Sequence, residues 1–229
     1  MNIVITGANR GIGLEFVRQY LERGEHVYAT ARQPDKAHDL AALTNKAAGK
    51  LRIFACDTSQ EASVRAFAEK LGETSVDVLI NNAGISGSWA GFLETNLEEV
   101  LPTFNTDTLG ALRVTRALLP HLRRSEARTI INISSICASI AETTSSMLFG
   151  YRLAKAALNM ATKALAQDLM GEKFTILAVH PGWVKTDMGG TEAPITPEES
   201  VRGMIAQFDR RDRGDTGSFF DYTGKVLPW

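Results

Sequence analysis

Cysteine is scarce in this sequence, with Cys56 and Cys137 as its only two examples among 229 residues. Two thiols form at most one bridge, so a disulfide framework is excluded and a reducing compartment is favoured. Both cysteines stand in apolar stretches, and we interpret them as small buried hydrophobic residues.

Neither sign of charge is in surplus, because 25 Lys and Arg stand against 26 Asp and Glu. This balance provides no basic surface for a phosphate backbone, so nucleic acid is not expected as a partner. No apolar run reaches the roughly 18 residues of a membrane-spanning helix. The run at 3–5 is too short for the core of a signal peptide, and a glycine turn follows it. We therefore expect a cytoplasmic protein with no membrane partner.

Metal-ligand spacing is also missing from the sequence. The four histidines are His26, His38, His121 and His180. None of them forms a pair or cluster at the spacing of a structural or catalytic metal centre, so no metal site is expected.

Apolar residues make up 44% of the chain, which suffices for the core of one α/β domain spanning residues 1–229. Short β-branched runs predict seven strands, at 2–6, 26–31, 51–55, 76–80, 128–134, 174–180 and 217–222. Helical periodicity predicts five helices, at 12–23, 63–71, 109–124, 151–170 and 197–208. This alternation predicts a single-domain Rossmann-type fold, a doubly wound parallel sheet of about seven strands with helices on both faces. Irregular segments at 86–91 and 189–196 follow strands, so they lie at the edge where such sheets bind ligands.

A glycine-rich turn, T-G-A-N-R-G-I-G at 6–13, joins the first predicted strand to the first helix. Glycine allows the backbone to turn tightly and to approach a pyrophosphate closely, and the helix start presents free N–H groups to the anion. The spacing differs from G-x-G-x-x-G, and a plain tight turn is the alternative; its place between strand and helix favours a dinucleotide site. The candidate cofactor-binding residues of this turn are Gly7, Asn9, Arg10, Gly11, Ile12 and Gly13.

The end of the second predicted strand lacks the acidic residue with which NAD sites usually bind the ribose 2′-hydroxyl. Arg32 stands there instead, and Arg10 adds a second cation. A guanidinium suits a 2′-phosphate, which it binds with two hydrogen bonds. The alternative is a pair of solvated surface arginines. We predict NADPH as the cofactor, with NADH as the less favoured choice.

Tyr151 and Lys155 are four residues apart on a predicted helix, which places them on one face, one turn apart. A neighbouring ammonium favours the phenolate and lowers the pKa of the tyrosine, so the pair is a candidate for general acid–base chemistry. Ser135 ends the fifth predicted strand, where it either caps a turn or donates to a substrate carbonyl. Taken alone, the Tyr151–Lys155 spacing also fits two surface residues that lie one helical turn apart by chance.

Taken together, these segments resemble the short-chain dehydrogenase/reductase family over nearly the whole chain. The turn at 6–13 matches the family's T-G-x-x-x-G-x-G, and N-N-A-G at 81–84 follows the fourth strand. Ser135, Tyr151 and Lys155 match the catalytic serine and Y-x-x-x-K. The stretch at 180–188, with P-G at 181–182, and the L-P-W at 227–229 are most similar to the C-factor-like, carbonyl-reductase-related members.

The resemblance implies hydride transfer between a nicotinamide and a carbonyl or alcohol, with the protein supplying position and the proton. Tyr151 is then the proton donor, Ser135 orients the carbonyl oxygen, and Lys155 holds the nicotinamide ribose and lowers the pKa of Tyr151. It also implies contacts to the adenine, the ribose and the carboxamide, from Asp57, from Asn82, Ala83 and Gly84, and from Pro181, Gly182, Val184 and Thr186.

One position departs from the family pattern. The family has a catalytic asparagine three residues before a glycine on the long helix, and here Asp107 stands three residues before Gly110. Asn105 is nearby but two residues out of register. A carboxylate can also hold a water molecule, but it adds charge beside Lys155. We count Asp107 as a fourth candidate catalytic residue and expect Asp107→Asn to keep at least wild-type reductase activity.

The candidate substrate pocket is apolar, and its residues are Trp89, Ile136, Trp183 and Met188. Phe92 is expected to face the same space, and Phe149 and Ile140 fit either this pocket or the core. An aromatic or aliphatic small-molecule carbonyl suits such a pocket.

Three functions therefore stay open. The first is an NADPH-dependent carbonyl reductase, and the second is an NAD-linked alcohol dehydrogenase. The third is a nucleotide-binding signalling or regulatory protein with little turnover. The resemblance also implies a homodimer or homotetramer that forms through the two long helices.

Overall fold

All seven strands belong to one parallel sheet in the computed structural model, which describes residues 1–229. They are β1 Asn2–Ile5, β2 His26–Ala31, β3 Leu51–Ala55, β4 Val78–Asn81, β5 Thr129–Ile133, β6 Thr175–His180 and β7 Ser218–Asp221. The strand order is β3-β2-β1-β4-β5-β6-β7, and every neighbouring pair is parallel. The predicted doubly wound fold and its strand number are confirmed. Chain order reverses between β1 and β4, where such sheets open a crevice for ligands.

Seven α-helices cover the two faces of the sheet. They are α1 Gly11–Glu22, α2 His38–Thr44, α3 Glu61–Leu71, α4 Val100–Phe104, α5 Gly110–Arg123, α6 Phe149–Asp168 and α7 Pro197–Phe208. Helices α1, α2 and α7 contribute to one hydrophobic core, and α3, α5 and α6 to the other. None of them combines the length and hydrophobicity that crossing a bilayer requires.

The central strands are continuously apolar because both of their faces are buried. In β1, the side chains of Ile3 and Ile5 enter the core under α1, whereas Val4 enters the opposite core. Helix α7 begins where the sequence predicts, since Pro197 occupies its first turn and Thr196 Oγ1 accepts from the Glu199 N–H at 3.2 Å.

Two helical segments are absent from the sequence prediction. Helix α2 is short, and its N-cap side chain makes no capping bond, so little in its sequence marks it. Helix α4 buries only Thr103, so it has no apolar stripe to detect. It continues through a π-helical turn, Asn105–Leu109, directly into α5. The predicted helix at 109–124 agrees with α5 to within one residue, whereas the helical turns that precede it from Val100 are absent from the prediction.

The remaining predicted boundaries agree with the structure to within two residues. Cys56 is buried as predicted, but the prediction for Cys137 is wrong, because this side chain is only half-buried and lines the main cavity. It lies in the short turn Ile136–Ala138 just beyond β5, at the edge of the cleft.

Substituting Phe67 tests the core beneath α3. Its ring is fully buried and lies 5.4 Å from the ring of Phe54. We expect Phe67→Ala to lower the free energy of unfolding by about 3–5 kcal/mol, measured by urea denaturation, because the cavity cannot be refilled. The matched control is Phe92→Ala, whose ring is 57% exposed, and for it we expect a loss below about 1 kcal/mol. Equal losses in both variants would contradict this assignment of the core.

Candidate active site

A cavity of about 990 Å³ opens at the carboxyl edge of the sheet, near the upper end of the range for ligand sites. Every residue that the sequence nominates as catalytic or cofactor-binding lines it, and so do four residues of the predicted substrate pocket. These are Gly7, Asn9, Arg10, Gly11, Ile12, Gly13, Arg32, Asp57, Asn82, Ala83, Gly84, Trp89, Asp107, Ser135, Ile136, Tyr151, Lys155, Pro181, Gly182, Trp183, Val184, Thr186 and Met188. The structure thus brings together residues from both ends of the chain.

The glycine turn forms one wall of the cavity, and its geometry excludes side chains. Gly7 and Gly11 have positive φ angles of 63° and 54°. A Cβ atom on Gly7 would lie 2.8 Å from Ala83 Cα, and one on Gly13 would lie 2.3 Å from the Gly7 carbonyl oxygen. The turn therefore requires glycine at these positions for its own packing, and it leaves the backbone bare toward the cavity.

Thr6 and Asn82 hold this turn in place. Thr6 Oγ1 accepts from the Asn82 and Ala83 N–H groups, both at 3.0 Å. The Asn82 side-chain amide donates back to the Thr6 and Gly7 carbonyls at 2.9 and 3.1 Å. The amide nitrogen of Asn82 is thereby used within the protein, and its part at the cavity is to fix the wall rather than to reach a ligand.

The residues of the turn fit a dinucleotide. Helix α1 begins behind Arg10 with no side chain that caps its first-turn N–H groups. Such free N–H groups, together with the helix dipole, form an anion site of the kind that binds a pyrophosphate. The cavity also extends from the end of β2 to the loop after β6, since Arg32 and Thr186 both line it.

Cationic side chains gather at the β2 end of the cavity, where Arg32 is joined by Lys36, which the sequence analysis did not nominate. Arg10 makes an ion pair with Asp187 at 2.7 Å, and both side chains are largely exposed. An exposed pair contributes at most about 1 kcal/mol, so it leaves Arg10 free to turn toward a phosphate. At the β3 end, the Asp57 carboxylate accepts from Ser59 N and Oγ at 3.0 and 2.7 Å.

The structure shows one of the two roles that the sequence left as alternatives for Ser135 and is compatible with the other. Its Oγ accepts from the Cys137 N–H at 3.1 Å and so caps a short turn at Ile136–Ala138. Because this bond uses an acceptor lone pair, the hydroxyl proton of the buried Ser135 stays free to be donated. A carbonyl oxygen in the cavity is a suitable acceptor.

Lys155 is buried and lies between two oxygens. Its Nζ donates to the Ile133 carbonyl at 3.0 Å and lies 3.0 Å from Asp107 Oδ2. The other Asp107 oxygen accepts from the Ile85 N–H at 2.8 Å. Asn105 turns away, toward Arg113 and the Ser59 carbonyl, so Asp107 is the residue at the family's asparagine position. The Asp107 contact is an ion pair in which Oδ2 accepts no hydrogen bond, so beyond its bond to Ile133 the ammonium keeps N–H capacity for a ligand.

Burial is the main influence on the acid–base groups of this site. It raises the pKa of Tyr151, and the charge of Asp107 raises it further, while Lys155 and the Ser135 hydroxyl lower it. The net direction is upward, so the pKa reduction that the resemblance implies is outweighed. Burial lowers the pKa of Lys155, but Asp107 and Tyr151 more than offset this, and the ammonium is retained. Burial raises the pKa of Asp107, against the opposing effects of Lys155 and the Ile85 N–H.

The substrate side of the cavity is only partly as predicted. Phe92 and Phe149 do not line it, because their rings pack edge to face against each other at 5.3 Å. Ile140 is 79% exposed and also lies outside it. Each follows a predicted strand, but the loops carry these side chains past the cavity.

His180 is a cavity residue that the sequence analysis missed. It ends β6, and burial lowers its pKa to about 4, so the imidazole is neutral. Its Nδ1 atom is buried without a hydrogen-bond partner. Its position directly before the P-G at 181–182 was the signal in the sequence that could have identified it as a cavity residue. No group of three or more His, Cys, Asp or Glu side chains is placed to hold a metal ion.

Replacing Lys155 tests the buried ion pair. Lys155→Met leaves the Asp107 carboxylate buried and uncompensated, and we expect the free energy of unfolding to fall by about 3 kcal/mol at neutral pH. Burial already raises the folded-state pKa of Asp107 above its unfolded value. The variant should therefore be least destabilised near about pH 4, and stability should fall as pH rises through the folded-state pKa.

Urea denaturation of a double-mutant cycle provides the control. Lys155→Met/Asp107→Asn should lose less stability than the sum of its single variants, because neither charge is then left unpaired. Lys70→Met, which removes an exposed lysine from α3, should change stability by less than about 0.5 kcal/mol. Additive losses across the cycle would show that the two charges do not depend on each other.

Comparisons with known proteins agree with this geometry. The family model described as short chain dehydrogenase matches residues 1–194. The C-signal protein of Myxococcus xanthus is 43% identical over 166 residues, which cover 72% of this chain and all of that protein.

Two solved structures match essentially the whole fold. The NADPH-bound carbonyl reductase from chicken fatty liver has a TM-score of 0.93 and 35% identity, covering 100% of this chain and 98% of that one. The carbonyl reductase Sniffer of Drosophila melanogaster has a TM-score of 0.94 and 32% identity, covering 100% and 99%. Together with the family match, these confirm the resemblance seen in the sequence: the chain belongs to the short-chain dehydrogenase/reductase family of NAD(P)-dependent oxidoreductases.

Proposed function

We propose that this protein is an NADPH-dependent carbonyl reductase that converts an aldehyde, ketone or quinone-like compound to the alcohol. One observation carries the proposal: Ser135, Tyr151 and Lys155 share one cavity with Arg10 and Arg32. Similarity to a carbonyl reductase with bound NADPH supports it. The free thiols of Cys56 and Cys137 suit a cytoplasmic setting.

The residues that would hold the cofactor are those that form the cavity wall. The bare turn and the uncapped start of α1 suit a pyrophosphate, and Arg32 with Lys36 suits a 2′-phosphate. The remaining N–H of Lys155 suits a ribose hydroxyl. Bound there, reduced NADPH supplies the hydride for the substrate carbon.

The chain's own residues manage the oxygen and the proton. The Ser135 hydroxyl donates a hydrogen bond to the carbonyl oxygen, keeps its own proton, and so stabilises the charge that develops there. Tyr151 transfers its phenolic proton to that oxygen and becomes a phenolate. Lys155, fixed by Ile133 and Asp107, lies beside that ring, with Nζ 5.5 Å from the ring centroid of Tyr151.

The mouth of the cavity selects an apolar substrate. Trp89 and Trp183 line it and are each 53% exposed, and Met188 and Ile136 also line it. The indole N–H of Trp183 donates to the Gly189 carbonyl at 2.7 Å, which fixes the ring beside the opening. An aromatic or aliphatic carbonyl compound would bury surface against these side chains.

Two alternatives differ from this proposal in testable ways. An NAD-linked alcohol dehydrogenase lacks support because Arg32 occupies the position where an acidic residue would bind the ribose 2′-hydroxyl. A nucleotide-binding signalling or regulatory protein with little turnover gains some support from the similarity to the protein named C-signal. Against it stands the intact set of Ser135, Tyr151 and Lys155 around one cavity.

The test is the absorbance of reduced nicotinamide during incubation with aldehydes, ketones and quinones, with NADPH and with NADH. We expect turnover that prefers NADPH and that falls by about 10²–10⁴-fold in Tyr151→Phe, which keeps the ring but has no proton to give. Arg32→Ala should weaken NADPH binding by about tenfold or more and leave NADH binding nearly unchanged. Tight NADPH binding without turnover on any compound would favour the regulatory alternative instead.

We also propose that the protein is a homo-oligomer, as the resemblance implies. Leu153 and Met160 are seven residues apart on α6, so they share one face, and they are 46% and 70% exposed. Sedimentation should give a mass above the 24.9 kDa of one chain at micromolar concentration. Met160→Glu should shift the mass toward that of one chain. The control is Met170→Glu, which changes an exposed residue beyond the helix and should leave the mass unchanged. A single-chain mass for the wild type would contradict the proposal.

A further inference from the structure

The carboxylate of Asp107 is built firmly into the catalytic corner. It is buried, one oxygen lies 3.0 Å from Lys155 Nζ, and the other accepts from the Ile85 N–H at 2.8 Å. A Cβ atom on Gly84 would lie 2.8 Å from Asp107 Oδ2, so the backbone of that loop also encloses the carboxylate. The π-helical turn fixes its position from the other side. These contacts hold the carboxylate beside Lys155.

Polar and charged groups surround Tyr151 from three elements of the fold. Lys155 lies one turn away on α6, and its Nζ is 5.5 Å from the centroid of the Tyr151 ring. Asp107 faces the pair from the π-helical turn, and Ser135 and Cys137 face it from the loop after β5. An asparagine at 107 would leave one uncompensated positive charge beside the phenol. With Asp107 present, the formal charge of the lysine–carboxylate pair is zero.

We infer that Asp107 cancels the charge of Lys155 and thereby keeps Tyr151 as the protonated phenol, so that the site works as a proton donor for reduction and is a poor base for oxidation. The inference rests on the proposed function and adds a direction to it. In reduction, the phenol O–H bond breaks and the proton goes to the carbonyl oxygen. In oxidation, an alcohol O–H bond breaks and the proton goes to a phenolate, which this charge arrangement makes scarce.

The direction of the acid–base shifts agrees with this geometry. Burial raises the pKa of Tyr151 and Asp107 adds to the rise, which outweighs the lowering by Lys155. The phenol form is therefore fully present at neutral pH and is lost only as pH rises through the elevated pKa. Reductase activity should persist across neutral and moderately alkaline pH, and oxidation should appear only at strongly alkaline pH.

The first test needs neither cofactor nor substrate. The ultraviolet absorbance of tyrosinate is titrated in the wild type and in Tyr151→Phe, and the difference isolates Tyr151. The same difference is taken for Asp107→Asn with and without Tyr151→Phe. We expect the Tyr151 midpoint to fall by about one pH unit or more in Asp107→Asn, because the lysine charge is then uncompensated. Asp39→Asn, an exposed carboxylate on α2, serves as the charge-matched control and should leave the midpoint unchanged.

Equal midpoints in the wild type and Asp107→Asn would overturn the inference. A wild-type Tyr151 midpoint below the ordinary tyrosine pKa of about 10 would also overturn it, and this result does not depend on whether the variant folds.

The second test compares the pH profiles of reduction and of oxidation, with the compounds that prove active in the nicotinamide assay. In Asp107→Asn, alcohol oxidation should begin at a pH about one unit lower than in the wild type, so the ratio of oxidation to reduction at a given pH should rise. Profiles that coincide would contradict the inference while leaving the proposed reductase function intact. Absence of turnover in the wild type would instead contradict the proposed function, and the tyrosinate titration would still decide the role of Asp107.

Discussion

The catalytic corner of this protein depends on one buried ammonium group. Lys155 Nζ has to find oxygen partners inside the protein, and it finds them at the Ile133 carbonyl and the Asp107 carboxylate. Those partners belong to the end of β5 and to the π-helical turn before α5, while the lysine itself belongs to α6. One buried cation therefore fixes three elements relative to one another. Tyr151 lies one turn earlier on α6, and Ser135 lies two residues beyond Ile133, so their positions follow from the same contact.

The opposite end of the cleft is organised by the absence of side chains. The glycine turn packs against Ala83 so closely that a Cβ atom would collide with it, and Thr6 and Asn82 supply the hydrogen bonds that hold the bare backbone in place. The cavity thus combines this rigid backbone wall with two arginines, Arg10 from the turn itself and Arg32 just after β2. The exposed ion pair of Arg10 with Asp187 exchanges partners at little cost.

The carboxylate beside Lys155 has two opposing effects on this site. The carboxylate compensates the charge of the buried ammonium, which an amide does not, but it removes the positive charge that would otherwise stabilise a phenolate. Buried ion pairs contribute little net stability after desolvation, so their effect on neighbouring acid–base groups is the more informative consequence. The neutral His180 in the same cavity shows the effect of burial on a titratable side chain at this site.

The sequence by itself determined the order of strands and helices, the glycine turn and the Tyr151–Lys155 spacing, because each is a local pattern that one segment carries alone. Only the tertiary structure decided that Asp107 rather than Asn105 meets Lys155, since a π-helical turn, which has no sequence signature, changes which side chain points inward. It also decided that Phe92 and Phe149 pack together outside the cavity, and that the pKa of Tyr151 rises although a lysine lies beside it. Burial and charge compensation depend on atoms from segments far apart in the chain, and no spacing within one segment encodes them.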